Sequence, residues 1–137
     1  MPGRLLGGIE AGGTKFICVL ARETGEELEQ VRIATTTPAA TFADVLEFFD
    51  AAIARHGRPQ AFGIAGFGPL ELRRDSPQWG QLLATPKPHW SNADLVGPLR
   101  SRYGLPVGID TDVNAAALAE QAQAFTAGVS SLAYVTV

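Results

Sequence analysis

Apolar and polar positions change period along the chain. Leu5 to Glu10 is a short apolar run and predicts a buried strand. Gly12 and Gly13 follow as a tight turn, and Lys15 to Ala21 (KFICVLA) predicts a second strand rich in β-formers. Thr24-Gly25 marks the next turn, and Leu28 to Thr35 alternates loosely as a third strand. The period then becomes helical. Phe42, Val45, Leu46, Phe49 and Ile53 recur at three and four, which predicts an amphipathic helix ending near Gly57-Arg58-Pro59. Two start signals precede it: Thr37 before Pro38, and Thr41 with Asp44 three residues on.

Ala61 to Gly66 predicts a short strand buried on both faces. Residues 67–91 hold four of the nine prolines and both tryptophans, and read as a long loop, a class that is often functional. Asn92 is placed to cap a helix running to about Tyr103, closed by Gly104 and Pro106. Pro106 to Asp110 predicts a strand, Val113 to Ala127 an Ala-rich helix ended by Gly128, and Ser131 to Val137 a final strand. The order βββαβαβα, plus one extra strand, defines an α/β class. It predicts a ribonuclease H-like (actin-like ATPase) domain, a mixed five-stranded sheet with helices on both faces. Residues 1–128 are expected to form this N-terminal lobe. Residues 129–137 read as the first strand of a second lobe.

Composition narrows the classes. The 137 residues are 46% hydrophobic and 18% charged, enough apolar material for a core. Eleven Lys and Arg against fourteen Asp and Glu give a net charge of −3, so no basic excess holds nucleic acid. Cys18 is the single cysteine, which excludes an intramolecular disulfide and a thiolate cluster for zinc. Its place in an apolar strand reads as core. No run approaches the ~20 apolar residues of a membrane helix. The expectation is a cytoplasmic protein with no nucleic-acid or membrane partner.

Three segments carry chemistry. Gly8-Ile-Glu-Ala-Gly-Gly-Thr-Lys15 puts two glycines between two strands, where backbone N–H groups can approach an anion. Thr14 adds a hydroxyl and Lys15 a charge. Glu10 stands at the strand end, where a carboxylate can hold Mg²⁺ through water. A plain hairpin turn meets the same spacing. Asp110 and Asp112 close a strand just before a helix, where ligands of open α/β sheets bind. A carboxylate there can take a proton from a hydroxyl, or simply cap the helix. Gly63-Ile-Ala-Gly-Phe-Gly-Pro69 runs a strand into a glycine-rich turn, which suits either backbone approach to a polar ligand or a strand end. In Thr85-Pro-Lys-Pro-His-Trp90, Trp90 can stack on a ring or pin the loop from inside.

These motifs, in this order, resemble the ROK family of sugar kinases and repressors, in the form its bacterial fructokinases carry. The resemblance runs from Gly7 to Val137. Gly-Gly-Ile-Glu-Ala-Gly-Gly-Thr-Lys-Phe at 7–16 is similar to the family's first phosphate motif. Ala-Thr-Pro-Lys at 84–87 with Trp90 is fructokinase-like, and Thr111 to Glu120 is similar to the catalytic segment. The resemblance implies ATP, Mg²⁺ and transfer of the γ-phosphoryl group to a hexose hydroxyl. It makes Asp112 the general base. It assigns phosphate to Gly12, Gly13, Thr14 and Lys15, and sugar contacts to Gly66, Gly68, Pro69, Thr111 and Asp112. Glu10 and Asp110 are the candidates for the metal shell. Thr111 stands where many members carry a sugar-binding Asn, so a hydroxyl replaces that amide. Family members commonly carry a His/Cys zinc site in the second lobe, and this chain has no such ligands. The family also implies a homodimer for the whole protein. The expected chain is thus an N-terminal lobe, inactive alone. The alternatives are a non-catalytic sugar- or phosphate-binding module and a ROK-type regulator. A ribonuclease H-like nuclease using Glu10, Asp110 and Asp112 is disfavoured by the acidic balance and the Gly-Gly-Thr-Lys turn.

Overall fold

The structure, a computed structural model, describes residues 4–67 and 69–110. Five strands form one mixed sheet: β1 (Leu5–Ala11), β2 (Lys15–Arg22), β3 (Glu27–Ala34), β4 (Phe62–Gly66) and β5 (Val107–Asp110), in the order β3-β2-β1-β4-β5. The first three form an antiparallel meander joined by the predicted turns. β4 and β5 join β1 in parallel, because a helix or long loop precedes each.

The sheet register sorts residues by face. Ile9, Cys18, Phe62 and Ile64 face a core that also takes Phe42, Val45 and Phe49 from the helix α1 (Pro38–His56). On the opposite face, Leu6, Gly8, Val19, Ala21, Gly63, Ala65 and Gly108 are buried as well, so both faces are covered. Full burial of each large apolar side chain stabilises the fold by roughly 1.5–3 kcal/mol before entropy is counted.

α1 starts at the first of the two predicted signals. The Thr37 hydroxyl accepts from the Ala40 N–H at 3.3 Å, and Pro38 stands in the first turn, where its missing N–H costs nothing. Thr41 serves differently: it is buried, and its hydroxyl accepts from the Thr36 N–H at 3.0 Å. Arg55 and His56 meet the negative end of the helix dipole.

The second helix departs from expectation. α2 covers Gly97–Tyr103, beginning five residues after Asn92. Asn92 adopts a left-handed φ of 67° and His89 one of 74°, so the chain turns there. Asp94 organises the entry to the helix instead, with Oδ1 accepting from Val96 N–H at 3.0 Å and Gly97 N–H at 2.8 Å. α2 packs on the same sheet face as α1, since the Tyr103 hydroxyl donates to the α1 residue Asp50 at 2.8 Å and its ring lies 5.3 Å from that of Phe62. The segment before α2 is no free loop. Main-chain bridges pair Leu70 with Leu82 and Gln81 with Asp94. Trp90 is fully buried against Phe16 and Phe67, and its indole N–H donates to the Thr36 carbonyl at 2.7 Å. The expected helix at 113–127 and strand at 131–137 lie outside the described residues.

Candidate functional site

β1, β4 and β5 run parallel, so their carboxyl ends lie at one end of the sheet. Ala11, Gly66 and Asp110 close them there, which is where open α/β sheets gather ligands. Glu10 pairs with Ala65, and Ala65 with Asp110. The two acidic residues therefore share a face with one strand between them, about 10 Å apart along the backbone at the usual strand spacing. Both are half-buried.

The turn between β1 and β2 lies beside them. Gly12 N–H donates to the Lys15 carbonyl at 2.9 Å and closes the turn. Thr35, just past β3, fastens it from the side. Its hydroxyl donates to the Gly12 carbonyl at 2.8 Å, and its N–H to the Thr14 carbonyl at 3.0 Å. The two glycines have different reasons to be glycine. A Cβ on Gly12 would lie 2.8 Å from the Lys15 carbonyl oxygen, so the turn itself forbids a side chain. A Cβ on Gly13 would meet nothing within 4 Å, and its backbone lies outside the left-handed region. The chain leaves that space open. Thr14 and Lys15 are exposed. Among the described residues, the Lys15 ammonium and the Glu10 carboxylate engage no hydrogen bond or ion pair.

The turn after β4 runs alongside, because Phe67 N–H donates to the Ala11 carbonyl at 2.9 Å. Gly66 is buried, and the space of its missing side chain is taken by Leu70 and Leu95, 3.0 and 3.1 Å from where a Cβ would stand. Pro69 is exposed, and its carbonyl accepts from Leu83 N–H at 2.8 Å. Gly68, Thr111 and Asp112 lie outside the described residues. Among the described residues, Thr35 is a contributor that no motif announces. A threonine ending an alternating strand carries no signal until the sheet brings it beside the turn.

No three His, Cys, Asp or Glu gather to cage a metal among the described residues. The donors present, Glu10 and Asp110, suit a magnesium ion that keeps most of its water. Cys18 takes no part: burial pushes its thiol up to about 12. No described helix is long and apolar enough to cross a membrane.

A meander of three strands feeding two parallel strands is the sheet of the actin-like ATPase fold. Residues 6–137 match the ROK family model, and the chain belongs to that family. It is 47% identical over 135 residues to a fructokinase of Zymomonas mobilis, covering 98% of this chain and 45% of that protein. Among solved structures, it resembles the ROK hexokinase of Thermus thermophilus with a TM-score of 0.65 and 28% identity, over 85% of this chain and 38% of the other. It also resembles a ROK glucokinase of Streptomyces griseus, solved with glucose and AMPPNP, with a TM-score of 0.57 and 26% identity, over 80% and 34%. The chain thus spans about half the length of the fructokinase it matches.

Proposed function

We propose that this chain is the N-terminal lobe of an ATP-dependent hexose kinase whose substrate is fructose. The observation that carries the reading is the turn at 12–15: a backbone tied in place by Thr35, with open space over Gly13 and an exposed Lys15, beside Glu10. The name of the Zymomonas relative supports fructose, and the glucose and AMPPNP bound to the Streptomyces glucokinase support a hexose and an ATP-type nucleotide.

On this reading the chain's residues divide the work. Gly12, Gly13 and Thr14 hold phosphate oxygens through N–H groups and a hydroxyl, and Lys15 balances their charge. Asp112, two residues beyond Asp110, orients the sugar hydroxyl and takes its proton. Thr111, Gly66, Gly68 and Pro69 line the sugar side. Glu10 and Asp110 are the residues that would hold a hydrated Mg²⁺, whose charge would offset that of the phosphates. The second lobe supplies the remaining nucleotide and sugar contacts, and the whole enzyme is a cytoplasmic homodimer.

The test is hexose-dependent release of ADP, measured across fructose, glucose and mannose. A chain extended to the length of its relatives is expected to release ADP with fructose above the others. The 137-residue chain is expected to release none. Phosphorylation by the 137-residue chain alone would overturn the assignment as a lobe, and an extended chain inert toward every hexose would overturn the kinase.

A further inference from the structure

A second polar cleft lies at the amino end of β5, the length of that strand away from Asp110, about 10 Å at the usual rise per residue. Arg74, Trp79, Arg100 and the connector 104–107 line a space of about 550 Å³. That volume falls within the ~300–1,000 Å³ typical of small-molecule sites. Its walls are held by main-chain bonds. Gly80 N–H donates to the Glu71 carbonyl at 2.9 Å, Leu95 N–H to the Gly80 carbonyl at 3.0 Å, and Gly104 N–H to the Arg100 carbonyl at 2.9 Å.

The arginines nearby are of two kinds. Arg73 is spent on Glu71 at 2.7 Å, and Arg102 on Asp50. Arg74 and Arg100, the two that face the cleft, meet no carboxylate among the described residues. The Arg74 guanidinium instead lies 4.6 Å from the centre of the Trp79 ring. Stacking of this kind steadies the plane and leaves its N–H edges free for a planar or tetrahedral oxyanion. Leu105, Pro106 and Val107 give the cleft an apolar wall. Among the described residues no acidic one lines it, in a chain whose net charge is −3.

We propose that this cleft binds a small phosphate monoester. The guanidinium groups of Arg74 and Arg100 take the phosphate by charge-assisted bonds, and the Trp79 edge and the apolar wall take the carbon skeleton. The site is separate from the turn at 12–15, and the inference does not depend on the kinase reading.

Calorimetric titration with glucose 6-phosphate, inorganic phosphate and glucose tests it. The protein is expected to bind the ester saturably and inorganic phosphate more weakly. Each of R74Q and R100Q is expected to weaken ester binding about tenfold, the loss of one charged hydrogen-bond partner. Both arginines are exposed, so the unfolding midpoint of the double variant is expected to stay at that of the parent. R100K keeps the charge and loses the fork, and should weaken the ester severalfold. Ester binding unchanged in the double variant, or absent from the parent, would overturn the proposal. Inorganic phosphate binding as tightly as the ester would overturn the role of the carbon skeleton. Loss of ester binding in R100Q, with hexose-dependent ADP release intact when the same substitution is made in a chain of the relatives' full length, supports the cleft and leaves the kinase reading standing.

Discussion

The Thr35 hydroxyl donates to the Gly12 carbonyl at 2.8 Å, so the end of β3 sets the shape of the turn between β1 and β2. Thr35→Val keeps the shape of the side chain and deletes the donor. The expected cost is ~1–2 kcal/mol of stability, since Gly12 loses a partner in a half-buried place. In the active enzyme the KM for ATP should rise more than the KM for sugar. Thr35→Ser should restore both. Urea unfolding and steady-state kinetics measure this pair, and an unchanged KM for ATP would show that Thr35 does not shape the phosphate turn.

The neighbouring glycines should respond in opposite ways. Gly12→Ala forces a Cβ onto the Lys15 carbonyl and is expected to cost about 1–3 kcal/mol, as overpacking does. Gly13→Ala has room, and the folded protein should keep its stability while its affinity for ATP falls. Thermal unfolding and nucleotide titration of both variants separate the two roles. If Gly13→Ala binds ATP like the parent, the open space over Gly13 is not where phosphate lies.

Acid should loosen the fold through carboxylates that arginines hold ionised, Glu29, Glu71 and Asp50. The Arg55 guanidinium, bonded to Glu29 through Nε and Nη2 at 2.5 Å each, holds that carboxyl at about 2, against an ordinary value of 4.5. Arg73 does the same to Glu71, from 4.5 to about 2. A pKa lowered by folding adds stability above the unfolded value, and that stability is lost as pH falls through the folded one. The unfolding midpoint should therefore drop between pH 4.5 and 2. Glu29→Gln should lower stability at pH 7 and flatten the acid limb. An acid limb as steep in the variant as in the parent would remove Glu29 from the account.

Trp90 acts as a core pin. Trp90→Ala should cost roughly 3–5 kcal/mol, in the range for a buried aromatic. Trp90→Phe keeps most of the packing and loses the bond to the Thr36 carbonyl, for about 1–2 kcal/mol. The sugar KM should not change in the Phe variant. A large rise there with little loss of stability would make the indole a ligand platform.

Much of the sheet was legible in the sequence because glycine turns punctuate it and apolar residues repeat with a strand's period. The strand ends fall within a residue of those predicted. In the stretch from Phe67 to Val96, Trp90 as an inward pin is one of the two readings its sequence allows; the main-chain bridge of Leu70 to Leu82 and the bond of Trp90 to Thr36 carry no sequence signal. Asn92 looked like a cap because its side chain suits one, but asparagine also tolerates the left-handed turn it adopts. Of the candidate site, the turn at 12–15 could be read from its residues. The shared face of Glu10 and Asp110 needed the register through Ala65. From its sequence Gly66 suits a backbone approach or a strand end, and its immediate reason is the packing of Leu70 and Leu95.

On the proposed function, Asp112 is the base and the turn at 12–15 the first phosphate clamp of a hexose kinase. Asp112→Asn in a chain of the relatives' full length tests it most directly, with turnover and fructose affinity measured side by side. The account predicts that kcat falls by about 10²–10⁴, the usual worth of a general base, while fructose binding stays near that of the parent. Loss of turnover and binding in equal measure, or full turnover in the variant, would contradict it.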